Sequence, residues 1–298
     1  MSLRQTEPSR VARSPRPEAT AGPPSRHGPI AQLLIASSPL SLILVAYAVG
    51  DWIAGPIDLG RPGTVNRLGF GLHRTGGATV DAHVFGSLPS VRLQEWLVDG
   101  SAHWYDAVAS LVYVTHFVMI PLVTALVWFR YPARYRSWIL AVLTFIVVGV
   151  AGYVVLPASP PWLSSQEGLI GPVARISNLG WDYLHLSSLG DVFDSSQAAS
   201  NPIAAIPSLH AGGAMLITLF CWSVAGRWWR VVLAAYPLLM ALALVYTGEH
   251  YVVDVAAGWL TAAIAVLVAG VTDRPRSPHP SPSGSGQLLG EAAPGSCG

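Results

Sequence analysis

The stretch PSLHAGGAMLITLFCWSVAGRWWRVVLAAYPLLMALALVYTGEHYVVD, residues 207–254, decides the fold, because two apolar runs in it separate two short polar motifs. His250 and Asp254 are four residues apart, so on a helix they share a face, where the carboxylate can hold one nitrogen of the imidazole. His210 lies two residues after Ser208 at a predicted helix start. We expect the apolar runs to bring His210 back beside His250. Two imidazoles and one carboxylate are the minimum set for covalent phosphoryl transfer.

The composition indicates an integral membrane protein. Of its 298 residues, 52% are hydrophobic and 11% are charged, whereas an average soluble domain carries about 25% charged residues. The net charge of +1 and the scattered arginines argue against nucleic-acid binding. Cys221 and Cys297 lie in different contexts, and neither a CxxC motif nor a Cys/His ligand spacing occurs. We therefore expect lipid partners, no cofactor and no metal.

Six apolar runs predict an all-α, polytopic membrane protein with six transmembrane helices. They cover about residues 30–49, 107–129, 138–156, 209–225, 231–246 and 252–271. A cleaved signal peptide is the alternative for the first run, but its apolar region would be shorter and nearer the start. Residues 1–28 and 273–298 are rich in Pro and Ser, which predicts disordered tails around a catalytic membrane domain at 29–272.

Arginines in the short loops predict the orientation in the cell membrane. They lie in the N-terminal tail, between the second and third runs, between the fourth and fifth runs, and after the sixth. These segments alternate along the chain, so we expect both termini in the cytoplasm. The long loops at about 50–106 and 157–208 would then lie outside, together with an extracytoplasmic active site. Within the first loop, residues 88–97 predict an amphipathic helix at the interface, and the part before it is expected to be irregular.

Three motifs carry a resemblance to a known family. The run IPSLHAG, residues 206–212, resembles the second signature of the type-2 phosphatidic acid phosphatase superfamily, and HYVVD, residues 250–254, resembles the third. The run PASPPW, residues 157–162, is similar to the first signature in the inositol phosphorylceramide synthase branch. The resemblance implies a metal-free membrane enzyme that cleaves a lipid-linked phosphate ester through a phosphohistidine, either as a phosphotransferase or as a lipid phosphate phosphatase.

The resemblance also implies roles for individual residues. His250 would be the nucleophile, Asp254 would orient it, and His210 would be the general acid that protonates the leaving alcohol. Ser208 would cap a helix, and it would either bind phosphate with the free N–H groups there or serve as a cap alone. The other expected substrate-binding residues belong to the first signature and are Pro157, Pro160, Pro161 and Trp162.

The chain departs from the superfamily pattern at its phosphate-binding cations. Phosphatase members usually carry a Lys and an Arg in the first signature and a Ser-Arg pair before the third. This chain has PASPPW and, before His250, Ala243 and Leu244. The departure favours the transferase branch and leaves the phosphate charge to another group. Arg175 in the second long loop is the preferred candidate for the clamp and Arg92 is the second candidate, and the alternative for each is a solvated loop arginine.

The expected substrate is a phospholipid or a polyprenyl or other lipid phosphate, and the acceptor is water or an alcohol such as inositol. His116, in the middle of an apolar run, is expected to make a structural hydrogen bond. Glu249 is expected to be a solvated turn residue. The rival hypothesis is a non-enzymatic transporter or lipid-binding protein that uses His and Asp as a proton relay. The clustering of ionisable groups at one face argues against it.

Overall fold

The computed structural model describes residues 29–198 and 201–272, whose regular structure is helical. The predicted tails at 1–28 and 273–298 lie outside these residues. The chain divides into two compact units, residues 1–38 and 39–298, and the helices that carry the motifs all lie in the second. The described helices are α1 (Pro29–Ala54), α2 (Gly76–Phe85), α3 (Pro89–Leu97), α4 (Trp104–Arg130), α5 (Tyr135–Val155), α6 (Pro161–Gln166), α7 (Leu179–Tyr183), α8 (Ser187–Ala198), α9 (Leu209–Cys221), α10 (Arg227–Tyr246) and α11 (Val252–Thr272).

In the part of the chain that the structure describes, four helical segments are long and apolar enough to cross a membrane: Trp104–Arg130, Pro132–Val155, Arg227–Tyr246 and Val252–Gly270. A further apolar helix, Leu209–Cys221, is shorter than a span. The all-α prediction is confirmed for the described residues, whereas the number of six spans stays a prediction. α9 ends before the expected residue 225, because the chain turns there toward α10.

The segment predicted as irregular before residue 88 is irregular at residues 55–75, but Gly76–Phe85 form a helix, α2, and there the prediction is wrong. The Asp81 carboxylate on α2 accepts the N–H groups of Val252 at 2.8 Å and Val253 at 3.0 Å. Gly77 lies so close to the Tyr251 ring that a methyl group there would overlap it. These contacts with the start of α11 stabilise a helix whose two glycines disfavour it in isolation. Burial raises the pKa of Asp81, and the two N–H bonds offset part of this effect.

The predicted amphipathic helix in the same loop is present as α3. Trp96 on its outer side is 70% exposed, whereas Gln94 on its inner side is buried. The Gln94 amide nitrogen donates to the carbonyl oxygens of Ala174 and Tyr246, both at 2.8 Å, and its oxygen accepts the Ala174 N–H at 2.9 Å. α3 therefore ties the second long loop to the end of α10.

The main core lies among α4, α5, α9 and α11, where the largest side chains with almost no exposure are Trp138, Phe145 and Leu216. The Trp138 indole N–H donates to the Thr124 hydroxyl at 2.8 Å, which satisfies its only polar atom. This core fixes the four helices as one packed group, and the motifs lie at one end of it.

Glycines allow α9 and α11 to approach each other closely. A methyl group at Gly258 would overlap the carbonyl oxygen of Ser208, and one at Gly212 would crowd the carbonyl oxygen of Gly258. Small residues at a crossing let helix backbones come together in membrane proteins. The starts of α9 and α11, which carry two of the motifs, are therefore adjacent.

Candidate active site

Backbone hydrogen bonds hold the three motifs together. The N–H of Ser208 at the start of α9 donates to the carbonyl oxygen of Asp254 at 2.9 Å. The N–H of Trp162 in the first motif donates to the carbonyl oxygen of Gly248 at 3.1 Å. The N–H of Ala158, also in the first motif, donates to the carbonyl oxygen of Ile203 at 2.9 Å, and Ile203 lies in the segment that leads into α9. Segments that are far apart in the sequence therefore form one connected backbone framework.

His250 lies just before the start of α11, and its side chain faces that of Asp254 in the first turn of this helix. Its Nδ1 lies 3.6 Å from Asp254 Oδ2, and the residues are 5% and 1% exposed. This distance is longer than a hydrogen bond, although such contacts often shorten when a substrate binds. Asp254 Oδ2 also accepts the N–H of Tyr251 at 2.9 Å, which fixes the carboxylate. Because Nδ1 faces the carboxylate, Nε2 is the nitrogen that is left for chemistry.

His210 lies beside His250 near the start of α9. The two imidazole centroids are 5.9 Å apart. The Nε2 atom of His210 is buried and has no hydrogen-bond partner among the described residues. The structure thus brings together the two histidines and the aspartate that the sequence singles out, and leaves a nitrogen on each imidazole able to act on a ligand.

His116 on α4 is a third histidine at this place, which the sequence interpretation treats as structural. Its ring centroid lies 4.1 Å from that of His210. The ring centroid of Tyr113, one turn earlier on α4, lies 4.7 Å from that of His210. Within the described part of the chain, His116 makes this ring contact and not the interhelical hydrogen bond that was expected. Its position in an apolar span was the available signal, since ionisable residues there are costly and often functional.

Ser208 caps α9, as expected. Its Oγ accepts the N–H of Ala211 at 3.3 Å, and the residue has no solvent exposure. This bond satisfies one of the free donors of the first turn. The cap is therefore observed, and phosphate binding at this helix start stays a prediction.

Arg175 and Glu249 form an ion pair next to His250. Arg175 Nε and Nη2 donate to the two carboxylate oxygens at 2.9 and 3.0 Å. The guanidinium carbon also lies 4.9 Å from the centre of the Trp162 ring, a cation–π contact. Burial acts to lower the pKa of Arg175, but the bonds to Glu249 and its charge outweigh this and raise it. The guanidinium therefore stays charged, and Glu249 and the Trp162 ring together hold it in position.

The prediction that Glu249 is a solvated turn residue is wrong. Glu249 is 6% exposed and accepts hydrogen bonds from the Ser177 hydroxyl at 2.6 Å and from the Gln197 amide at 2.9 Å, in addition to Arg175. Four donors therefore converge on a carboxylate directly before His250, which is how a buried charge is kept stable. The donors come from distant parts of the chain, so no local pattern could indicate them.

The other residues expected at the phosphate site, and the position of the missing superfamily arginine, lie in different surroundings. Arg92 is exposed and lies over the Trp96 ring, 5.2 Å from its centre. Leu244, at the place of the superfamily arginine, is fully buried, and its carbonyl oxygen accepts the N–H groups of Glu249 and His250 at 3.0 and 3.2 Å. Of the first-motif residues, Trp162 contacts Arg175, whereas the prolines are buried in the framework: Pro157, Pro160 and Pro161.

Comparison with known proteins agrees with the motifs. Over 246 residues the chain is 25% identical to a phosphoinositol dihydroceramide synthase of Bacteroides thetaiotaomicron, which covers 77% of this chain and 74% of that protein. Over 124 residues it is 31% identical to the inositol phosphorylceramide synthase catalytic subunit of Schizosaccharomyces pombe, which covers 41% of this chain and 29% of that protein. No solved structure matches the chain significantly. Residues 83–268, more than half of the chain, match the PAP2 superfamily, and the protein belongs to it.

Proposed function

We propose that the protein is a membrane lipid phosphotransferase that forms a phosphohistidine at His250. The observation that supports this most directly is the pairing of His250 with Asp254 at 3.6 Å, with His210 at a ring distance of 5.9 Å. An oriented imidazole next to a second imidazole is a nucleophile with a proton donor. The family match and the two synthase relatives support the same class of lipid chemistry.

In the first half-reaction, His250 Nε2 attacks the phosphorus of the lipid-linked ester, and the bond from phosphorus to the leaving oxygen breaks. His210 donates a proton to that oxygen, so the alcohol leaves neutral. Asp254 stabilises the positive charge that develops on the His250 ring, as a carboxylate does for a catalytic histidine. Arg175 and the free N–H groups at the start of α9 would balance the charge on the phosphate oxygens.

In the second half-reaction, an acceptor oxygen attacks the phosphorus and the P–N bond breaks. The acceptor proton goes to His210, which restores both histidines. The acceptor decides the outcome: an alcohol gives transfer, and water gives hydrolysis. A lipid phosphate phosphatase is therefore the second candidate, and it shares the first half-reaction.

We favour transfer because the phosphate-binding cations of the phosphatases are replaced, most clearly by the buried Leu244. The Bacteroides relative is named for a product that joins phosphoinositol to dihydroceramide. By extension, the donor here would be a phospholipid that carries a polyol headgroup such as inositol. The acceptor would then be a lipid alcohol of the ceramide type.

Product identity tests this proposal. Purified protein would be incubated with radiolabelled phospholipids, with and without a ceramide, and the lipid products would be separated. We expect a new phosphorylated lipid that depends on the ceramide. His250→Ala should abolish the product and also the labelled phosphoprotein trapped after rapid denaturation at alkaline pH. Equal turnover by His250→Ala would contradict the mechanism, and release of a water-soluble product alone would favour the phosphatase.

The proposed topology has six spans, with both termini in the cytoplasm and the histidines on the extracytoplasmic side of the cell membrane. It is supported by the four long apolar helices and by the alternation of arginine-containing loops. α1 and α9 would be the two remaining spans, and α9 would be short because it starts below the outer surface. The site would then meet lipid headgroups at the outer interface.

A further inference from the structure

The Arg175–Glu249 ion pair lies in an unusual position, next to the proposed nucleophile His250. A carboxylate that is 6% exposed directly precedes the proposed nucleophile, and it occupies two of the three nitrogens of Arg175, which contacts Trp162 of the first motif. Burying an ion pair is costly and is by itself weak evidence for a stabilising role. The pair therefore calls for a functional explanation.

Few positive charges are available to a phosphate in this site. The chain has no lysine. Arg175 is matched by the opposite charge of Glu249, and Asp254 adds a further negative charge beside His250. The arginines of the first long loop contact other groups: Arg61 with Asp58, Arg67 with Trp52, Arg74 with Glu167 and Arg92 with Trp96.

This charge balance acts differently on the two classes of phosphate ester. A phosphomonoester carries nearly two negative charges above its second pKa of about 6, whereas a phosphodiester carries one. In a site of low effective dielectric, a second unpaired negative charge is strongly unfavourable. A site whose arginine is already neutralised therefore penalises the monoester more than the diester.

We propose that Glu249 is a specificity-determining residue, which neutralises Arg175 so that the site selects singly charged phosphodiesters over doubly charged phosphomonoesters. The proposal rests on the proposed function and assigns its substrate charge. Glu249 acts through Arg175 and is a positioning residue. It holds Nε and Nη2 while the Trp162 ring holds the face of the guanidinium, so that Nη1 is the nitrogen without a hydrogen bond among the described residues.

Two soluble substrates with the same leaving group isolate this effect. p-Nitrophenyl phosphate is a monoester and methyl p-nitrophenyl phosphate is a diester, and at about pH 8 they differ by one charge. The readout is the ratio of kcat/KM for the diester to that for the monoester. Both rates are measured on one preparation, so a variant that is partly unfolded lowers them equally and leaves the ratio unchanged.

We expect the wild-type ratio to favour the diester. Glu249→Gln keeps the size of the side chain and an oxygen for Ser177 and removes the charge, so the ratio should shift toward the monoester by on the order of tenfold or more. Arg175→Gln should shift it in the opposite direction. The double variant Arg175→Gln/Glu249→Gln restores the net charge and should return the ratio toward that of the wild type.

Glu167→Gln is the matched control, because Glu167 pairs with Arg74 in the other partly buried Arg–Glu pair of the described residues. Its ratio should equal that of the wild type, even if its stability falls. If Glu249→Gln leaves the ratio unchanged while His250→Ala is inactive, the proposed function stands and the charge-selection role is overturned. If His250→Ala hydrolyses both substrates normally, the proposed function itself is wrong. A double variant that matches Arg175→Gln would also contradict the role of the pair.

Discussion

The His210 imidazole is packed against groups that leave its Nε2 atom free for a ligand. The rings of His116 and Tyr113 lie 4.1 and 4.7 Å from it, and its Nε2 has no partner among the described residues. A general acid needs a proton that is not already committed to a protein acceptor. The ring packing holds His210 in place without a hydrogen bond to Nε2, which fits the role of acid in the proposed mechanism.

Removing this acid should affect substrates according to their leaving group. His210→Ala should lower kcat for alkyl phosphate esters by about 10²–10⁴-fold, because the alkoxide must then leave without a proton. Aryl esters such as p-nitrophenyl esters need little protonation and should lose far less. The comparison is made with alkyl and aryl esters on the same preparation. An equal loss on both would show that His210 is not the acid.

At the scale of elements, the contact between α9 and α11 sets the distance between the histidines. Gly258 on α11 faces the carbonyl oxygen of Ser208, which is backbone and cannot move without the helix. The same end of α11 is held by α2, through the two N–H bonds to Asp81. The long loop before α4 therefore helps to position the third motif.

Gly258→Ala should push α9 and α11 apart. We expect a loss of stability of about 1–3 kcal/mol, as for overpacking in a core, and a fall in turnover that exceeds the loss of folded protein. Thermal unfolding in detergent and kcat per folded molecule measure the two effects. Gly270→Ala on the same helix is the control, because apart from the adjacent backbone of α11 no atom of the described residues lies within 4 Å of the added methyl group. Equal behaviour of the two variants would contradict the close-contact explanation.

At the scale of the whole molecule, the orientation in the membrane decides which lipids the site can reach. The first and third motifs are joined by the bond from Trp162 to Gly248, and the second and third by the bond from Ser208 to Asp254. All three motifs therefore lie together in the structure. Arg227 and Arg230, at the start of α10, lie at the opposite end of α10 from the third motif.

Cysteine labelling on intact cells tests this orientation. In a background without Cys221 and Cys297, Ser188→Cys and Ser223→Cys each place an exposed thiol, in the second long loop and in the α9–α10 turn. A membrane-impermeant maleimide should label the first and spare the second until the cells are lysed. The reverse pattern would place the site in the cytoplasm and would reverse the predicted topology.

The sequence alone determined the class of the protein and the residues of its central motifs. The low charge content and the apolar runs indicated membrane helices, since a bilayer requires about 20 apolar residues in each span. The spacing of His250 and Asp254 and the motif around His210 indicated which side chains to expect together in the site. The helix α3 was also predictable, because its apolar and polar residues recur with the helix period. All these signals are local in the chain.

The tertiary structure alone decided how the site is charged and how it is held. Glu249 is buried because Arg175, Ser177 and Gln197, which lie 74, 72 and 52 residues away, donate to it. α2 forms in a glycine-containing segment because it caps α11, from which it is distant in the sequence. His116 reaches His210 across a helix contact. Such pairings leave no periodic or compositional mark on either partner, because their free energy comes from contacts that exist only after the helices have packed.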